Sequence, residues 1–452
     1  MEMRAKRVSL AVLLFLLLLT SCSFTPKQPE WVLQNPVDNA YYQAVTHLSK
    51  KVPAYGDLAR ENALREISSQ ISVQIDSDIA LTETEANGIP SSDLISQIRS
   101  SSRNKLSGVQ LAGVYQTDKD YWAYYRLSKS EFRSWRIQQR NLALQQATNL
   151  LSEFDSSSND IAAGITSLLK AMELIIDFTD MDLSCQYQGK EVNLYNEVFN
   201  RLQRLPASLK PSYAIQQLAL VAKTRSTNNV TVTMQYQKGT QLVACSAFPL
   251  SFAFSRGAGE IVKTAVTQSD GKAELIIHRI TDFVSLQQIA LTPDKDYWLG
   301  RIENPVVKRL FSQLQFPPAL LTLLVSRPKA FLGYSFDNTK GSAYRDIITK
   351  KLQDLDLEVV ADSSLSDFSF RIRIISHEGD FVPRLNLYAA QADAYVELLN
   401  SKSKTSIYNA NLTNIKSTGN SLEAARKMCE LNAVNEICNK LMYMLVEQYI
   451  MR

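Results

Sequence analysis

Three histidines in 452 residues leave little for general acid–base or metal chemistry. His47, His278 and His377 have no partner at a recognised spacing, and His377-Glu378 lacks the second histidine that a zinc-binding helix needs. Of the five cysteines, Cys185, Cys245, Cys429 and Cys438 show neither CxxC nor Cys/His metal spacing. Cys429 and Cys438 share one expected helix and lie about 13 Å apart along its axis, too far to bridge. Buried free thiols are therefore expected, with a Cys185–Cys245 disulfide as the alternative in an oxidising compartment. Gly-x-Ser-x-Gly is absent, and Gly257-Ala258-Gly259 precedes a strand where a dinucleotide site needs a helix. No catalytic residue, cofactor site or metal site is expected. An excess of one charge is missing as well: 49 Lys+Arg against 45 Asp+Glu gives +4. Nucleic-acid binding, which needs a basic stripe to displace counterions, is not expected.

Long apolar runs are also scarce. One occupies Val8 to Leu19, and no second run of about 20 follows, so no membrane-spanning helix is expected in the body of the chain. Arg4, Lys6 and Arg7 precede the run, and Leu19-Thr20-Ser21-Cys22 closes it. A basic segment, about a dozen apolar residues and small residues before a cysteine form a bacterial lipoprotein signal, with Leu19, Thr20, Ser21 and Cys22 as its lipobox. The mature chain is expected to begin at Cys22, which carries a diacylglycerol and an N-acyl chain. At about 0.8 kcal/mol per buried methylene these chains anchor stably. Removing Arg4, Lys6, Arg7 and Glu2 takes away +2 and leaves about +2 on the mature chain. Ser23, where an aspartate would favour inner-membrane retention, points to the periplasmic face of the outer membrane.

Residues 22–30, with Pro26 and Pro29, make a short tether. Trp31 and Pro36 open the globular pattern, and Tyr41-Tyr42-Gln43-Ala44-Val45 reads as a strand. Ala59, Ala63, Ile67 and Ile71 mark a helix, and Ile71, Val73 and Ile75 read as a following strand. A Ser-rich stretch at 91–107 reads as helix or loop. Val114-Tyr115 and Tyr121 to Leu127 read as a hairpin turning at Thr117 to Asp120. This order resembles the LPP20-type lipoprotein domain over residues 31–127, on Trp31 and Pro36, Tyr41-Tyr42-x-Ala44-Val45, the alanine-bearing helix ending in Ile71 to Ile75, and Tyr124-Tyr125-x-Leu127. Thr46-His47 stands where that family usually continues into a glycine. The resemblance implies an envelope lipoprotein with relatives among flagellar outer-membrane-associated proteins, and no catalytic residues.

Residues 128–225 read as a helical segment: a capping box at Ser128 and Glu131, a second helix along Ile161, Ile165, Leu168, Leu169, Met172 and Ile175, and a third over Val192 to Leu205. Over 226–300 the period changes to two. Val230, Val232, Met234 and Tyr236 alternate, then Phe248, Leu250, Phe252 and Phe254, giving a small β-sandwich. Thr267-Gln268-Ser269-Asp270-Gly271-Lys272-Ala273 resembles the hairpin of bacterial Ig-like and transthyretin-like modules. Residues 301–319 read as a linker containing a helix start at Asn304-Pro305. Residues 320–452 read as a C-terminal α+β domain: strands at Leu320 to Val325 and Ala330 to Phe336, a helix to Leu352, and strands at Leu357 to Val360 and Phe368 to Ile374. His377 falls in a turn, two more strands follow, and a helix is capped at Ser421. That order is similar to the domain shared by curli-secretion-like and TolB N-terminal-like lipoproteins, which implies protein binding or side-by-side assembly.

The whole is an α+β multidomain chain. Alternation puts Trp122 and Tyr124 on one face of their strand and Tyr121 and Tyr125 partly on the other. These aromatics are expected to form core and interdomain contact, with Trp122, Tyr124 and Tyr125 as the candidate interaction surface in the alternative. The expected role is a non-enzymatic scaffold or assembly factor, flagellar or secretion associated, whose partners are the membrane, envelope proteins or further copies of itself. The alternative is a lipoprotein hydrolase or a glycan- or peptidoglycan-binding module.

Overall fold

A computed structural model describes residues 28–82, 108–157, 159–224, 226–336 and 342–451. The signal peptide, the lipobox with Cys22, most of the tether and the Ser-rich stretch 91–107 lie outside the described residues. No described helix is long and apolar enough to cross a membrane. The protein is an α+β multidomain chain whose contacts divide it into two compact units. The first takes residues up to Glu153, Ser167–Leu202 and Ile302–Ser312; the second takes Phe154–Thr166, Gln203–Arg301 and Gln313 onward.

The first unit opens with a single helical turn α1 (Glu30–Leu33), then β1 (Tyr41–Ser49), α2 (Tyr55–Thr82) and the hairpin β2 (Gln110–Gln116) and β3 (Asp120–Ser128). The sheet order is β1-β3-β2, antiparallel throughout. Alternation turns Ala44, Ala123, Tyr125 and Leu127 onto Ala59, Ala63, Ile67 and Ile71 of α2. The strand expected at Ile71 to Ile75 is instead the continuation of α2. Ile71 is 5% exposed and Val73 is 68% exposed, as a 3.6-residue period dictates and a two-residue period forbids.

Helix α3 (Lys129–Ser156) starts where Ser128 Oγ accepts from the Glu131 N–H. After α4 (Ile161–Ile175), Arg136 of α3 holds Asp180 with a buried two-pronged pair at 2.6 and 2.8 Å. The chain then makes a hairpin, β4 (Ser184–Tyr187) and β5 (Lys190–Asn193), before α5 (Leu194–Ser208).

The expected helical segment does not extend to residue 225. β6 (Leu209–Tyr213) and β7 (Gln217–Val221) follow α5 directly and belong to the β-sandwich of the second unit, because Leu218 and Leu220 alternate with polar or small neighbours. The sandwich continues through β8 (Asn228–Lys238), β9 (Gln241–Ala244), β10 (Pro249–Arg256), β11 (Gly259–Ile261), β12 (Thr264–Val266), β13 (Lys272–Ile280) and β14 (Leu286–Pro293). Val230, Val232, Met234, Leu275 and Ile277 of one sheet are buried, as are Leu250, Phe252, Ile289 and Leu291 of the other. The Asp270-Gly271 turn needs its glycine: φ is +76°, and a Cβ there would stand 2.8 Å from the Met234 carbonyl oxygen.

After α6 (Lys295–Leu299), the expected linker is a packed helix. In α7 (Pro305–Gln313), Val306, Val307, Leu310 and Phe311 are buried in the first unit, and Glu173 accepts from the N–H groups of Glu303 and Asn304. The strand expected to open the C-terminal domain, β15 (Ala319–Ser326), instead completes the sandwich, antiparallel to β14 and parallel to β7. Its buried Leu321, Leu323 and Val325 supply the inner face which β14 alone leaves incomplete.

The terminal domain therefore starts at β16 (Lys329–Phe336), followed by α8 (Ser342–Asp354), β17 (Glu358–Val360), β18 (Phe368–Val382), β19 (Leu387–Asn400), β20 (Ser406–Gly419) and α9 (Leu422–Glu436), which continues in wider π turns to Ile450. Strand order is β17-β16-β18-β19-β20. Ser421 caps α9 by accepting from the Ala424 N–H at 3.1 Å. Phe370, Ile372, Ile374, Ala392, Ala394 and Val396 face α8 and α9. His377 lies within β18 opposite Gln391, not in a turn, because the strand runs on to Val382. Phe283, after β13, packs on this core between Lys223 and Arg327, both of which pair with Asp356.

Candidate functional site

The outer face of the first sheet carries the aromatic cluster that the sequence singles out, with one exception. Trp122 and Tyr124 point outward, but Tyr125 points inward and is buried with α2, so it leaves the surface. Burial raises both tyrosine hydroxyls above their ordinary pKa. The outward rings are already partnered within this unit. Trp122 stacks on His47 at 4.5 Å and meets Tyr115 at 5.6 Å, and His47 Nε2 stands 3.1 Å from the Asp120 carboxylate. Tyr124 donates to Gln43 Oε1 and meets Trp31 at 5.8 Å. Trp31 lies so close over Gly113 that a Cβ there would come within 3.0 Å of the indole. The N-terminal turn thus covers one end of the aromatic layer.

The edge of β1 is capped at one residue by a side chain. Gln70 accepts from the Gln43 N–H and donates to the Gln43 carbonyl, occupying at that position the groups to which an added strand would bond.

The terminal sheet offers a different surface. Helices α8 and α9 cover one side, and the opposite side carries Arg371 and Arg373 of β18, Tyr395 and Glu397 of β19, and Asn409 and Asn411 of β20. Gly333 on β16 has no side chain to fill the space beside Arg371, and a shallow groove of about 540 Å³ runs across the strands. Arg371 pairs with Glu397 at 3.3 Å, and His377 stands 3.6 Å from Asp393 farther along. Two arginines, a phenol and two amides in one groove can hold a carboxylate or a polar chain. The signal for Tyr395, Asn409 and Asn411 was the phase of two long alternating strands, legible only once their register was known.

Among the described residues, no group of three His, Cys, Asp or Glu side chains is placed to hold a metal. Cys185, Cys245, Cys429 and Cys438 are all free thiols. Burial pushes Cys245 up to about 12 and Cys429 up to about 11, leaving both protonated and unreactive at neutral pH.

No family model matches the sequence, and no curated protein matches it. Among solved structures the chain is similar to lipoprotein GNA1162 from Neisseria meningitidis, at 13% identity over 25% of this chain and 99% of that one, with a TM-score of 0.18. It is also similar to a putative lipoprotein from Caulobacter crescentus, at 15% identity over 26% and 88% of the two chains, TM-score 0.20. The secreted protein HP1454 from Helicobacter pylori matches at 9% identity over 89% and 100%, TM-score 0.22. These likenesses assign no family.

Proposed function

We propose that this chain is a lipid-anchored envelope protein without catalytic activity, which works by holding another envelope protein on its terminal sheet. The Cys22 lipobox supports a membrane anchor, Ser23 after it supports the periplasmic face of the outer membrane, and the resemblance of residues 31–127 to the LPP20-type domain supports an envelope role. The observation that carries the binding role is the open side of the β17-β16-β18-β19-β20 sheet, where charged and aromatic side chains line one groove. A photo-crosslinking side chain in place of Tyr395, in cells, is expected to give a discrete adduct with one envelope protein. Adducts no different from those at exposed Lys402 would sink the reading. In the Cys22→Ser variant, the protein is expected to leave the membrane fraction.

Tyr395 beside Asn409 and Asn411 favours a second reading, a glycan-binding module, because a ring face and amides together suit a sugar. Sedimentation with purified peptidoglycan, lost in Tyr395→Ala, would support that reading over the first.

A further inference from the structure

The outer face of the β12-β10-β14-β15-β7 sheet is unusual for a solvated surface. Across β7, β15 and β14 the register places Ala219, Leu324 and Leu286 in one row. A second row holds Leu320, Ala290 and Ala253, on β15, β14 and β10. Between them runs a row of Gln217, Thr322 and Gln288. Leu320, Leu324 and Leu286 are 46%, 43% and 39% exposed, so no described part of the chain covers them. The central strands β14 and β15 put no charged side chain on this face, and Arg256, opposite Gln288, stands at its margin.

We propose that a second copy of this chain packs on this face, sheet against sheet, as a two-fold dimer. Charge selects the occupant. A partner bringing ions to the middle of the face would lose their hydration and find no counter-charge, whereas the face meeting itself buries no ion and opposes no like charges. Size is sufficient. Strands spaced about 4.8 Å with a rise of about 3.4 Å per residue make the sheet roughly 500 Å² on one side, so a pair buries roughly 1,000 Å², where specific interfaces begin. Shape agrees as well, because leucine ridges beside alanine troughs interdigitate when two sheets stack about 10 Å apart. The two-fold requirement follows from one patch serving both copies.

Sedimentation of the full-length chain in detergent tests this. The native protein is expected to be dimeric at micromolar concentration, and Leu324→Glu to weaken the dimer by at least about 100-fold, since each copy would bury an unpaired carboxylate. Leu320→Glu is expected to act likewise. Both sites are exposed, so circular dichroism and the melting temperature should stay near native for each variant. Mixing the Leu324→Glu chain with Leu324→Lys, or with Leu320→Lys, should restore the dimer in one of the two mixtures, depending on which rows meet. A monomeric native protein, a dimer indifferent to both glutamates, or failure of both mixtures would overturn the proposal. Crosslinks from Ala290 to a different protein, with the native chain monomeric, would assign the face to that protein and overturn it equally.

Discussion

Two of the five-stranded sheets in the second unit, β12-β10-β14-β15-β7 and β17-β16-β18-β19-β20, are each dry on one side and uncovered on the other. Their inner sides are alike: Phe252 and Leu291 in the sandwich, and Phe370 and Val396 in the terminal domain, are all at most 2% exposed. Their outer sides are not. One presents leucine, alanine, threonine and glutamine; the other presents Arg371, Arg373, Glu397, His377 and Asp393. Alternation decides which side chains face outward, but not what the outer side does next. Ions keep their water and hold a face open or ready for a charged partner, whereas an uncharged face with exposed leucines gains by losing water.

If the inner sides are equivalent, truncating them should cost the same. Phe252→Ala and Phe370→Ala are each expected to destabilise their own domain by about 3–5 kcal/mol, through lost transfer energy and the cavity left behind. Calorimetry resolves this, because each variant should lower a different unfolding transition. A cost under about 1 kcal/mol at either site would break the comparison at its foundation.

Raising the pH separates the two domains next. Burial lifts Cys245 in the sandwich to about 12 and Cys429 in the terminal domain to about 11, with Glu430 and Asp393 adding to the latter, and burial also raises Cys438. An unfolded thiol titrates near about 8.5. Above that pH the unfolded state binds fewer protons than the folded one, so stability that is complete below about 8.5 is lost as the pH rises toward the folded values. The terminal domain carries two such thiols and the sandwich one. From pH 7.5 to 9.5, the transition lowered by Phe370→Ala should therefore drop farther than the one lowered by Phe252→Ala. Cys429→Ala should narrow the gap, and equal drops without it would count against the burial assigned to these thiols.

Much of this architecture was legible in the residues. Val230, Val232 and Met234 announced a sandwich strand, Asp270-Gly271 its hairpin, and Ser421 the start of the last helix. The failures have physical causes. Ile71, Val73 and Ile75 fit a two-residue period as a triplet, yet Ile67 and Ile71 already belonged to a helical stripe, and only packing against β1 and β3 decides between them. Gln217 to Val221 and Ala319 to Ser326 were assigned to the wrong neighbours, because their pairing, with Thr322 opposite Gln217, spans more than a hundred residues and leaves no local mark. The same holds for both outer faces. The leucines of β14 and β15 look like ordinary core residues until the register shows that Leu286 opposes Leu324 on the uncovered side. Trp122, Tyr124 and Tyr125 stood out as a cluster, yet one turned inward because alternation cannot send neighbours 124 and 125 the same way.

The smallest effect tests whether the charged face is open at all. Arg371 Nη1 lies 3.3 Å from Glu397, with the two side chains 66% and 32% exposed. A pair so wet gains little: water screens the attraction, and two long side chains give up rotamer freedom to meet. Arg371→Ala is thus expected to change the stability of the purified protein by no more than about 0.5 kcal/mol, with the difference shrinking further in high salt. The same substitution in a cell, with a partner seated in the groove, removes a charge from a desolvated contact and should cost far more. A loss above about 1.5 kcal/mol in the isolated chain would mean that the pair is already covered there, and the contrast between the two outer faces would then be one of occupancy instead of charge.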